Sequence, residues 1–139
     1  MGARRQGRII AFQAIFSWEM NKIEPDELTQ FRWLDADRRR EIKPETLDFA
    51  RLLTIGSIEN IETIDDCIKN HLENWDFERL SKVDLAILRI SVFSLLRQKD
   101  IPFSVTIDEA VDISKEFGND DSYRFVNGVL DGIRKHLDS

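Results

Sequence analysis

A chain of 139 residues with 42% hydrophobic and 33% charged side chains fits one globular domain that buries its own core without a covalent staple. One Cys and two His exclude an intramolecular disulfide and a Cys-rich zinc site. No apolar run approaches the roughly 18 residues of a membrane span, and the start lacks a small-residue cleavage site, so a cytoplasmic protein is expected. The net charge of −6 argues against a uniformly basic nucleic-acid binder. The charge is uneven, however: Met1 to Trp18 holds three Arg and no acid, and Arg38-Arg39-Arg40 forms a second basic run.

In chain order, residues 1–8 read as a flexible basic arm, helical at the earliest from Arg4. A helix then runs to about Met20. Ala11, Ala14, Ile15 and Trp18 share one face at helical spacing, and Ile9, Phe12, Phe16 and Met20 share another. If the core takes the Trp18 face, the Phe16 face stays partly open to a base or a second subunit. Pro25 suits the first turn of a short helix anchored by Leu28 and Phe31. The charged stretch Asp35 to Lys43 reads as a loop. From Thr46, the pattern Phe49, Leu52, Leu53, Ile61, Ile64, Ile68, Leu72 is helical but long, and a bend between Gly56 and Asn60 divides it into two helices.

Asn74 to Ser81 reads as a connection packed down by Trp75, Phe77 and Leu80. Ser81 caps a central core helix whose apolar face carries Val83, Ile87, Ile90, Phe93, Leu95 and Leu96. Ile101-Pro102 stops it. Thr106-Ile107-Asp108-Glu109 has the form of a capping box, and Gly118 that of a left-handed helix end. Ser122 caps a last helix with Phe125, Val126, Val129, Leu130, Ile133 and Leu137 on its apolar stripe. No segment alternates with period two, so the fold class is all-α.

Catalytic chemistry finds no inventory. Cys67 lies in an apolar stripe and reads as a small buried hydrophobe, although His71 stands one turn away. Asp65-Asp66 point apart on a helix, and Asn119-Asp120-Asp121 suit a helix start, so neither suggests a metal. No phosphate-binding glycine loop occurs. Neither a cofactor nor a metal is expected, and the chain is read as no enzyme.

Four motifs carry a resemblance. They are R-R-Q-G-R-I-I-A-F-Q-A-I-F-S-W at the start, V-D-L-A-I-L-R-I-S from Val83, the block from Ile101 to Gly118, and S-Y-R-F-V-N-G-V-L-D from Ser122 to Asp131. Together they resemble the NusB transcription antitermination family over the whole chain, most weakly in its middle third. The chain departs from the family where Gln6 and Gly7 interrupt the arginine run.

The resemblance implies two packed helical bundles of about seven helices within a single domain, residues 1–139. It implies binding to boxA-type single-stranded RNA of ribosomal RNA leaders, together with the ribosomal protein NusE, in an RNA polymerase antitermination complex. The implied RNA contacts are Arg4, Arg5, Arg8, Gln13, Phe16, Ser122, Tyr123, Arg124 and Phe125. The implied partner contacts are Asp84 and Arg89. Arginines suit phosphates, while aromatic rings and Gln13 suit unpaired bases. As bland alternatives, Phe16 and Phe125 are core, the arginines form a solvated tail, and Arg89 merely pairs with Asp84 or Glu109. Two other functions compete: a dimerising interaction scaffold without RNA binding, and the NusB-like domain of a ribosomal RNA methyltransferase. No methyltransferase domain is present, so the latter would require a fragment.

Overall fold

The computed structural model describes residues 2–139, which form eight α-helices and one short 3-10 turn, with no strand among the described residues. The helices are α1 (Ala3–Asn21), α2 (Pro25–Leu28), α3 (Ala36–Glu41), α4 (Pro44–Glu59), α5 (Ile61–Lys69), α6 (Lys82–Arg97), α7 (Phe103–Phe117) and α8 (Ser122–Asp138). None is long and apolar enough to cross a membrane.

The helix α6 is the axis of the molecule. Every residue from Asp84 to Leu95 is buried, because α1, α4, α5, α7 and α8 all pack around it. Ser81 caps it as expected, its hydroxyl accepting from the Asp84 N–H at 3.3 Å. One continuous apolar cluster runs from Ile9 and Phe12 through α4 and α6 to Val126 and Ile133. A smaller cluster of Ile10, Phe31, Leu34, Ile42 and Ala50 lies beneath the segment between α1 and α4. Phe31 adopts a positive φ of 56°, which a bulky residue rarely holds; burial of its ring under Trp33 and Arg51 offsets that strain. The long central pattern divides where expected, with Asn60 ending α4 and leading into α5.

Several expectations are corrected. Residues 3–8 are no flexible arm: α1 begins at Ala3, and Arg8 and Gly7 are buried. Gly7, which interrupts the arginine run, seats the helix, since a Cβ there would stand 2.8 Å from the Phe49 ring and 3.2 Å from the Thr46 carbonyl. The helix α1 has no open apolar face either. Ile9 and Phe12 are as buried as Ala11 and Ile15, Phe16 and Trp18 are both half-buried, and only Met20 is well exposed. Asp35 to Lys43 contains α3, a helix that buries nothing and therefore leaves no apolar periodicity in the sequence. Leu52 and Trp75 are exposed rather than packed down.

The capping box at Thr106 does not form. Helix α7 starts four residues earlier, directly after Pro102, whose carbonyl accepts from the Val105 N–H at 3.0 Å. Thr106 is thereby buried within the helix, and Glu109 is released for another task. Gly118 is extended, with φ −90° and ψ −170°, rather than left-handed. Its value is steric, because a Cβ would come within 2.8 Å of the Ser114 carbonyl and collide with Ser122. Ser122 is the first residue of α8, not its cap; its buried hydroxyl accepts from the Asn119 N–H at 3.0 Å and ties the α7–α8 loop down.

Candidate nucleic-acid interface

The expected RNA residues lie on α1 and at the start of α8, with α7 between them. Side-chain contacts from Arg5 to Glu109 and Asp112, from Arg8 to Glu109, and from Phe12 to Phe117 show that α1 and α7 run side by side in the same direction. The arginines sit at the start of this pair. Phe16, one turn beyond Phe12, sits towards its end, where the chain turns into α8. Arg5 and Phe16 are about 16 Å apart along α1. The expected residues thus form two groups rather than one.

At the arginine end, charge is already paired. The Arg5 guanidinium bonds Glu109 through Nε at 2.9 Å and Asp112 through Nη2 at 2.7 Å. The Glu109 hydrogen bond holds its pKa above the usual value, with burial pulling the other way. Arg8 is only 7% exposed and donates to Glu109 at 3.1 Å; burial lowers its pKa, and Glu109 opposes that. Arg4 differs. It is exposed, has no carboxylate partner among the described residues, and lies 4.2 Å over the Phe49 ring. Glu109 and Asp112, with Glu116 one turn on, form an acidic stripe at helical spacing. That stripe is the sequence signal that could have shown the arginines to be matched.

The α8 end is open by contrast. Tyr123 is half-buried, with the Lys115 ammonium and the Arg124 guanidinium each 5.2 Å from its ring. Arg124 is 72% exposed, with Asp121 3.9 Å away. Phe125 is half-buried and meets Trp75 edge-on, ring centroids 5.5 Å apart. Ser122 is buried and Gln13 half-buried. Lys115, Trp75 and Arg79 join this end unexpectedly. For Trp75 the signal was composition alone, a large aromatic in a connection otherwise rich in charge and Asn.

Asp84 and Arg89, implied as partner contacts, are both buried and do not share a surface. Asp84 lies beside Ser122 in the wall of a cleft of about 550 Å³. Burial pushes its carboxyl up, against a smaller opposite pull from the Ser122 hydroxyl, and its Oδ1 has no hydrogen-bond partner. Arg89 faces the other way. It pairs with neither Asp84 nor Glu109 but grips both oxygens of Asp65 at 2.9 and 2.8 Å. Its Nη1 faces Glu19 at 3.5 Å, a charge contact, and Trp18 lies against the guanidinium. Cys67 is half-buried, and burial raises its thiol pKa; the His71 ring nitrogen faces the Cys67 carbonyl at 2.8 Å rather than the thiol. Among the described residues no group of three or more His, Cys, Asp and Glu could hold a metal ion.

The architecture is that of known all-helical antitermination factors. The chain is similar to a solved NusB from T. maritima, with a TM-score of 0.83 and 41% identity over 95% of this chain and 90% of that one. It is similar also to the solved antitermination factors NusB and NusE in complex with dsRNA, with a TM-score of 0.83 and 28% identity over 96% and 97% of the two chains. The sequence model of the NusB family matches residues 5–135, and the chain belongs to that family. Among relatives named transcription antitermination protein NusB, that of Treponema pallidum (strain Nichols) is 57% identical over 134 residues, covering 95% of this chain and 92% of its own. That of Treponema denticola is 47% identical over 131 residues, covering 94% and 95%.

Proposed function

We propose that this chain is a non-catalytic, cytoplasmic transcription antitermination factor. It binds boxA-type RNA of ribosomal RNA leaders jointly with NusE and enters an RNA polymerase antitermination complex. Residues 1–139 act as one RNA-binding domain that needs no cofactor. The observation that carries most weight is whole-length likeness to a NusB solved with NusE and RNA. Relatives at 57% and 47% identity, matched over more than nine-tenths of their own length, are named antitermination proteins, which favours a factor over a methyltransferase domain.

The geometry supports a division of labour along the interface. Arg4, Lys115 and Arg124 supply exposed cations, while Tyr123, Phe125 and Phe16 offer aromatic surface. Arg5 and Arg8, locked to Glu109, hold the α1–α7 pair together and present the Arg4 end. Asp84, set beside Ser122, belongs to the α8 side of this surface, and Arg89 holds α6 to α5 and α1 from within.

Titration of a boxA-type oligoribonucleotide over a range of salt concentrations, with and without NusE, tests the proposal. Affinity should fall along a straight log–log line, with a slope of about −0.7 per phosphate contact for a single strand, and NusE should tighten it. Binding that ignores salt and NusE would leave only an interaction scaffold.

A further inference from the structure

The exposed indole of Trp75 has no structural task that accounts for it. It is 62% exposed in the connection between α5 and α6, touches Phe125 edge-on, and separates two clefts that share both rings as walls. The first, of about 550 Å³, is walled further by Arg79, Ser81, Asp84 and the loop from Asn119 to Ser122. The second, of about 450 Å³, is walled by Arg124, the open backbone of Gly128, and Gly132 beside the His71 ring. Aromatic faces flanked by cations are what an unstacked base and its phosphates require.

We infer that Trp75 and Phe125 form a stacking step for one unpaired nucleobase of the bound RNA, with the base in the first cleft and its phosphates outward at Arg79 and Arg124. This rests on the RNA-binding function proposed above and extends its surface from α8 to the α5–α6 connection. The cleft dictates the orientation. Asp120 and Asp121 line it, so a phosphate is repelled from its interior, whereas base N–H groups are welcome. Asp84 is buried to better than nine-tenths in its wall and keeps one carboxylate oxygen without a partner. Ser122 and Ser81 add hydroxyls beside it. A cleft so rich in acceptors selects a base that presents an exocyclic amino group over uracil, which lacks one. The site is continuous with Tyr123, Arg124 and Phe125, which already belong to the proposed interface.

The test is abasic scanning of a boxA-type oligoribonucleotide against the intact protein and Trp75→Ala. For the intact protein, one position should lose roughly 5- to 150-fold in affinity when its base is removed, the range for one stacked base. In Trp75→Ala the same removal should cost nothing further, because base and ring act as a pair. A merely structural role for Trp75 would weaken all positions alike and overturns the inference. Trp75→Ala binding as the intact protein does, while Arg4→Ala weakens binding, also overturns it and leaves the RNA function standing. Absence of salt-dependent RNA binding by the intact protein removes that function and this inference with it. As a measurement that truncates no cleft residue, Trp18→Phe with Trp33→Phe leaves Trp75 as the sole tryptophan. Its emission should be quenched at RNA saturation, and unchanged emission overturns the stacking step.

Discussion

The two ends of the α1–α7–α8 surface carry similar residue types in opposite states. At the start of α1, Arg5 and Arg8 are bonded to Glu109 and Asp112, and Arg8 is buried. At the start of α8, Arg124, Lys115 and Arg79 stand exposed around aromatic rings, and Asp84 keeps an unpaired oxygen. An arginine near a proposed RNA site is therefore not automatically a phosphate contact. The paired end gives the surface its shape, and the open end has the unspent charge and aromatic area.

Removing Glu109 should break this contrast most severely. Glu109→Ala strands the buried Arg8 cation, and loss of one partner from such a pair costs about 3 kcal/mol, the low end for buried pairs because Glu109 keeps some exposure. Denaturant melts measure this; an unchanged midpoint would mean that both ends are equally open. Next, Arg8→Ala should cost about 1.5–3 kcal/mol through its charged hydrogen bond, while Arg4→Ala should cost under about 0.5 kcal/mol yet weaken RNA binding. Equal stability losses in the two variants would erase the distinction between them.

A smaller effect is expected at Asp84. Its carboxyl is raised in the folded state, so the folded chain holds this proton more firmly than the unfolded chain. Stability from this group is present at acid pH and is lost as pH rises from the usual carboxylate value, 3.8, through the higher folded one. Asp84→Asn removes that loss and should match or exceed the natural chain in thermal midpoint at neutral pH. It should also flatten the pH dependence just above the normal Asp range; an unaltered pH profile would show that Asp84 does not titrate abnormally. Smallest for stability is Arg124→Ala, which should leave the melt in place and reduce the salt slope of RNA binding by about 0.7. An unchanged slope removes Arg124 from the interface.

Much of the helical framework was readable, because apolar residues at helical spacing mark α1, α4, α5, α6 and α8 regardless of their partners. Short α3 was not, since a helix that buries nothing leaves no such trace. Thr106 to Glu109 misled for a related reason. The capping pattern is local, but a proline and the packing of Phe103 started α7 earlier, and Glu109 went to arginines more than a hundred residues away. The candidate site was proposed from residue types, and their states were not legible. Whether Arg4 or Arg8 is the exposed cation depends on α7 lying alongside α1, and whether Trp75 is core or surface depends on the path of a loop.

Helix α3 also has a practical use. It buries no residue and bridges two anchors, Leu34 and Ile42, of the small cluster beneath it. Exposed segments of this kind are where chains accept insertions and where proteases cut first. Ala36 to Glu41 is thus the natural place to attach a fluorophore or an affinity tag. A label there would report on complex assembly while α1, α7 and α8 remain chemically unaltered.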